Sequence, residues 1–311
     1  MLVLLCALLT LGACNTSESA PAGTPFDGEA ARGYVKAQLD FGARVPGTEA
    51  HRKTGDWIVA QMRQRADTVI EQRWNHVTAN GDTLPLRNVF ARYNPQATTR
   101  ILYLTHWDSR PISDQAEDPA KRALPVPGAN DGASGVGMFI ALGDILKRTP
   151  PTIGVDLLFV DGEDYGTFGP PNVDVLLGST YFAANLPAAY QPIFGVLWDM
   201  IGDADLEILQ EGYSAERAPE VVARVWDTAA KLGYQRYFPP KVGTSITDDH
   251  IPLLDKGLRV IDVIDIDYLA PPGSAKPNYH HTPDDTLDKV AARSLKIVGD
   301  VAYSLITGAQ E

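Results

Sequence analysis

The chain has 311 residues, a hydrophobic share of 44% and a formal net charge of -12. That is enough to bury one large core without disulfide staples. The acidic balance argues against nucleic acid as a partner, because phosphate binding needs a basic surface.

Leu2-Val3-Leu4-Leu5 through Leu8-Leu9 is a short apolar region that ends at Leu11-Gly12-Ala13-Cys14. It reads as a signal peptide over residues 1–13. Small residues before a cysteine resemble the lipobox of bacterial lipoproteins. The resemblance implies an exported protein, lipidated on Cys14 and anchored to a membrane at the periplasmic face or the cell surface. Beyond this segment no stretch is apolar for long enough to span a bilayer. Residues 14–25, rich in Ser, Thr, Ala, Gly and Pro, read as a flexible tether. The only cysteines are Cys6 and Cys14, so the mature chain would hold no disulfide and no cysteine nucleophile.

Asp27 is a suitable N-cap for a helix through Leu39, and a second helix fits Ala50 to Arg65. Strand-like runs follow at Val69–Trp74, Leu86–Tyr93 and Arg100–Thr105. Arg110 to Pro127 is a long loop with four prolines, and loops of that length are usually functional or disordered. Ser134 to Lys147 has a helical apolar face and is ended by Pro150-Pro151. Strands then alternate with helices at Val155–Val160, Leu176–Ala184, Ile193–Trp198, Pro219–Leu232, Arg259–Ile266 and Ala291–Ile306. This alternation predicts an α/β sheet with helices on both faces.

Metal-binding residue types stand where strands end. His106 and Asp108 follow Ile101-Leu102-Tyr103-Leu104, Glu163 and Asp164 follow Leu157-Leu158-Phe159-Val160, and Asp199 follows Val196-Leu197-Trp198. Asp131 sits in Gly128-Ala129-Asn130-Asp131-Gly132, and His280-His281 comes after the run Arg259 to Ile266, across a Pro-rich loop. In an open α/β sheet, ligands bind beyond the carboxyl ends of the strands. Alone, each cluster is weak: Asp-Gly is commonly a turn, and paired histidines can be an exposed pair. Together they suggest one metal site. Asp, Glu and His donors without Cys suit zinc, or another hard-to-borderline divalent ion, in a catalytic site. Of neighbouring carboxylates such as Glu163 and Asp164, one can ligate while the other serves as general base. His250, in Asp248-Asp249-His250-Ile251-Pro252, reads as a structural or substrate-side group more readily than as a ligand.

From Arg44 to the C-terminus the chain resembles the zinc-dependent aminopeptidase superfamily, and within it the glutaminyl-peptide cyclotransferases. The likeness runs through Arg44-Val45-Pro46-Gly47, His106-Trp107-Asp108-Ser109, Gly128-Ala129-Asn130-Asp131 and Phe159-Val160-Asp161-Gly162-Glu163. It continues through Leu177-Gly178-Ser179, Trp198-Asp199-Met200-Ile201-Gly202, Asp248 to Pro252 and His281-Thr282-Pro283-Asp284-Asp285. The resemblance implies a single three-layer α/β/α catalytic domain over residues 26–311, with a central mixed, mostly parallel sheet. It implies that Asp131, Asp164 and His281 hold zinc. It also implies that His106 and Asp199 complete a second metal position in the aminopeptidase branch. In cyclotransferases one zinc is typical, and Asp199 turns to the substrate amine. Glu163 would be the general base and acid, Asp108 would orient His106, and Asp249 would join a hydrogen-bond network under the site. Asp164 stands where the family usually has Glu, and His280 where cyclotransferases usually carry Trp. The expected substrates are peptide or protein N-termini. The expected reaction is cyclisation of N-terminal Gln, with aminopeptidase hydrolysis as the alternative and non-catalytic surface binding a third.

Overall fold

The computed structural model describes residues 24–268 and 278–310. The signal and lipidation segment with Cys14 lies outside these residues, as does the tether up to residue 23. Helix α1 (Gly28–Leu39) opens on Asp27, whose side chain accepts from the Ala30 N–H. Helix α2 (Glu49–Arg63) opens on Thr48, which accepts from the His51 N–H. Strands β1 (Thr68–Val77) and β2 (Thr83–Tyr93) form a long antiparallel hairpin. Pro85 sits in β2 without breaking the sheet because β4 (Gly154–Val160) pairs with β2 only from Val89 to Tyr93. Proline has no N–H to give, so it is tolerated where a strand has no second neighbour.

Strand β3 (Arg100–His106), helix α3 (Ala133–Arg148), β4, helix α4 (Leu177–Ala184), strand β5 (Gly195–Asp199) and strand β6 (Val260–Ile264) supply the parallel part. The sheet order is β1-β2-β4-β3-β5-β6, antiparallel across the first two pairings and parallel across the other three. Every residue of β3, β4, β5 and β6 is buried, as expected of parallel strands covered on both faces. Their period-2 alternation divides two cores. Tyr103, Leu157, Val196 and Ile261 face one core with α3 and α8 (Ala292–Gly308). Leu102, Leu158, Leu197 and Val260 face the other with Phe182 of α4 and Leu253.

Two short helices were not expected from sequence, α5 (Gly212–Arg217) and α7 (His250–Asp255), whereas α6 (Pro219–Lys231) was. Six residues carry too little periodicity to read, and Pro252 in α7 looks like a breaker. It is harmless there because it lies in the first turn, where its missing N–H would be unpaired anyway. The loop Arg110–Pro127 is pinned at both ends by the Val126 N–H to the Arg110 carbonyl, and it contains a single 3-10 turn at Pro119–Lys121.

Candidate active site

The chain runs from β3 to β4 on one side and then returns past β3 to reach β5. A reversal of this kind opens a crevice outside the carboxyl ends of the strands. The crevice is a cavity of about 930 Å³ whose lining includes Asp131, Glu163, Asp199, Asp248, His280 and His281. Phe168, Pro170, Pro171, Ile246 and Ile266 give it apolar walls. Among the described residues, sequence-predicted groups from five separate segments therefore meet at one place.

Asp131 lies in the turn before α3. The carboxylate of Asp285 accepts the Asn130 N–H at 2.8 Å and the Asp131 N–H at 3.1 Å, which fixes that turn from across the site. Gly132 follows at φ +84°, and a Cβ there would lie 2.6 Å from the Asp108 carbonyl oxygen, so only glycine fits. The buried Arg44 guanidinium binds the carbonyls of Trp107, Pro127 and Gly128 from behind. Met200 and His281 both adopt left-handed backbone, with φ of 49° and 54°. For non-glycine residues this costs conformational energy and concentrates at functional sites.

Two donor sets flank Asp131. On one side His281 Nε2 is 3.7 Å from Asp131 Oδ2 and 3.3 Å from Asp164 Oδ1, while His280 Nε2 is 3.9 Å from Asp131 Oδ2. On the other side His106 Nε2 is 2.9 Å from Asp131 Oδ1 and 3.2 Å from Asp199 Oδ1. Burial works to raise Asp131, but the imidazoles of His106, His281 and His280 outweigh it and hold the carboxylate below its ordinary range. Burial lowers His106, yet Asp199 and the other carboxylates around it push the imidazole well up. His280 is lowered to about 3 by burial and by His281, which keeps the ring neutral.

Asp108 does more than face His106. Its two oxygens accept the N–H groups of Glu163 at 3.1 Å and Asp164 at 3.2 Å, while His106 Nδ1 is 3.5 Å away. It thereby sets the turn that aims both carboxylates. Glu163 is buried with Oε2 3.7 Å from His106 Nδ1. Burial, with Asp164, Asp248 and Asp249 nearby, raises its carboxyl well above the ordinary range. A carboxyl raised in this way is suited to take up and pass on a proton.

Asp249 lies beneath, accepting from the Ser179 hydroxyl. Burial raises it to about 7. Asp248 bonds the Asp249 N–H at 2.5 Å and reaches the cavity. His250 is fully buried beside Glu211, 3.3 Å away, and does not line the cavity. Asp161 is spent on His51 at 2.8 Å and on the Arg87 N–H.

Three residues of the long loop went unrecognised in the sequence. Arg110 Nη1 binds Asp164 Oδ1 at 2.6 Å, and its other nitrogens hold Asp114. Gln115 faces the Nδ1 atoms of His280 and His281 at 3.2 and 3.4 Å. The only available signal was the unusual length of the loop.

The donor set fits a metal. Asp131, Asp164 and His281 supply oxygen and nitrogen without sulfur, and the buried Asp164 Oδ2 has no hydrogen-bond partner. Buried polar atoms left in this way call for a ligand or ion.

Known proteins agree with this chemistry. A Zn-dependent exopeptidase from Parabacteroides distasonis superposes with a TM-score of 0.85 at 33% identity, covering 92% of this chain and 99% of that one. The Bacteroides thetaiotaomicron glutaminyl cyclase bound to N-acetylhistamine gives 0.85 at 35%, covering 91% and 98%. Drosophila melanogaster glutaminyl-peptide cyclotransferase is 26% identical over 268 residues, 78% of this chain and 70% of that protein. The chain spans about half the length, or less, of other curated relatives it matches. The protein is thus a zinc-dependent enzyme. With residues 88–306 matching the model of peptidase family M28, the chain belongs to that family.

Proposed function

We propose that this enzyme is a glutaminyl-peptide cyclotransferase, converting an N-terminal Gln to pyroglutamate with release of ammonia. One observation carries the choice over hydrolysis: the two sides of Asp131 are not equally open. Around His281 the imidazole nitrogens stand 3.3 to 3.9 Å from the carboxylate oxygens they face. Around His106 they close to 2.9 and 3.2 Å. In this reading His106 keeps to these two carboxylates and a single zinc is held on the His281 side.

In this reading Asp131, Asp164 and His281 hold one zinc. Zinc, when bound, supplies a Lewis acid for the side-chain amide carbonyl of the substrate. Asp199 accepts hydrogen bonds from the substrate's α-amine and orients it. Glu163 takes a proton from that amine as the new N–C bond forms, then delivers it to the departing nitrogen, which leaves as ammonia. Asp249, bonded to Ser179, adds to the negative surroundings that raise Glu163. Because the attack is intramolecular, holding one conformer removes much of the entropic barrier. The alternative is aminopeptidase action; His106, Asp131 and Asp199 do lie close enough to hold an ion if they part slightly.

Purified protein carrying Cys14→Ser should release ammonia from Gln-initiated peptides and form pyroglutamyl products, with little action on chromogenic leucine or alanine amides. Amide hydrolysis with two bound metals and no ammonia from Gln peptides moves the assignment to aminopeptidase. We further infer anchoring through Cys14. Wild-type protein expressed in bacteria should fractionate with membranes, whereas Cys14→Ser should not be lipid-modified. An unmodified mature N-terminus by mass spectrometry overturns the anchor.

A further inference from the structure

We propose that His280 is a metal ligand of this chain, joining Asp131, Asp164 and His281 around one ion; the inference rests on the metal-site reading above and deepens it. A tetrahedral ion with bonds of ~2.0–2.1 Å sets its donors about 3.3 Å apart, and no bridged pair can exceed about 4.1 Å. His281 Nε2 lies 3.3 Å from Asp164 Oδ1 and 3.7 Å from Asp131 Oδ2. His280 Nε2 lies 3.9 Å from the same Asp131 oxygen. These three of the six pairs fall within that limit, and Asp164 is tied to the group through His281 alone. Asp131, His280 and His281 offer donor atoms within 4.8 Å of one another, so only a small approach of the two imidazoles is needed.

The two rings lie side by side over Asp131. Their centroids are 3.6 Å apart, and both Nδ1 atoms face the Gln115 amide at 3.2 and 3.4 Å. Each ring turns its Nε2 toward Asp131 Oδ2. Asp164, by contrast, shares Oδ1 with Arg110 at 2.6 Å, which weakens that oxygen as a donor. A second imidazole makes up the deficit. The His280 side chain is 18% exposed against 9% for His281. It is the outer donor, and therefore the one to yield the open position a catalytic ion keeps for substrate.

The test is X-ray absorption of the purified full chain loaded with one equivalent of zinc, beside zinc affinity by chelator competition. Wild type should show two imidazoles per zinc, and His280→Ala one, with binding weakened by at least the roughly 10- to 100-fold typical of losing an outer partner. His106→Ala should keep two. A single imidazole in wild type overturns the proposal, as does an unchanged count and affinity in His280→Ala. The wild-type count decides the matter even if the variant misfolds. A wild type that binds no zinc at all sinks the metal-site reading itself, and this inference with it.

Discussion

Glu163→Gln is expected to keep its zinc and to lose about 10²- to 10⁴-fold in turnover, the usual contribution of a general acid-base group. The substitution removes a proton carrier and little else. Glu163 is buried at the cavity wall, and its backbone N–H is held by Asp108 whatever the side chain. Its carboxylate is 3.7 Å from His106 Nδ1, and the direct contacts of His281 to carboxylates are to Asp164, Asp131 and Asp114. Gln preserves the size of the side chain but cannot accept a proton from the substrate's amine or pass one to ammonia. Asp164→Ala should behave differently, because it deletes an oxygen 3.3 Å from His281 Nε2 and leaves Arg110 Nη1 only the backbone carbonyl of residue 164. It should weaken zinc binding first and lose activity as a consequence. Zinc content and single-turnover ammonia release, measured on both variants, separate the roles. Equal zinc loss in the two would make both residues ligands and leave the proton transfer without its carrier.

The parts of the site legible in the sequence are those that follow a buried strand. Ile101 to Leu104 and Leu157 to Val160 are apolar because both faces of those strands are covered. A polar residue directly after such a run can only stand at the sheet's end. That logic located His106, Glu163, Asp164 and Asp199. It could not locate Arg110, Asp114 or Gln115, whose partners are as much as 166 positions away and whose loop has no periodicity to read. Nor could it place His280. Adjacent residues usually diverge, and both imidazoles reach Asp131 only because His281 takes left-handed backbone at φ 54°. Asp108 was read as the partner of His106; that it caps the Glu163-Asp164 turn with both oxygens depends on backbone geometry that no sequence pattern records.

His281→Ala is expected to weaken zinc binding more than any other single imidazole replacement, by more than the roughly 10- to 100-fold that outer partners contribute. His281 is the donor common to both carboxylates, 3.3 Å from Asp164 and 3.7 Å from Asp131. It is also the better anchored of the two adjacent rings. Its carbonyl accepts the Gln115 N–H at 3.2 Å, and its Nδ1 lies 3.7 Å from Asp114. Burial lowers its basicity, but Asp164 and Asp131 raise it above the ordinary imidazole value, so an empty site favours the protonated ring. Metal and proton then compete for Nε2, and zinc affinity should fall as the pH drops through that raised value. Removing the ring removes this competition along with the donor. The variant should therefore bind zinc weakly and with a shallower pH dependence than wild type. A chelator should abolish wild-type activity and added zinc restore it, while the variant should need a large excess of zinc to recover any. If His281→Ala held zinc as tightly as wild type, with the same pH slope, the ion would have to lie on the His106 side of Asp131. The paired imidazoles would then belong to the wall of the substrate cavity.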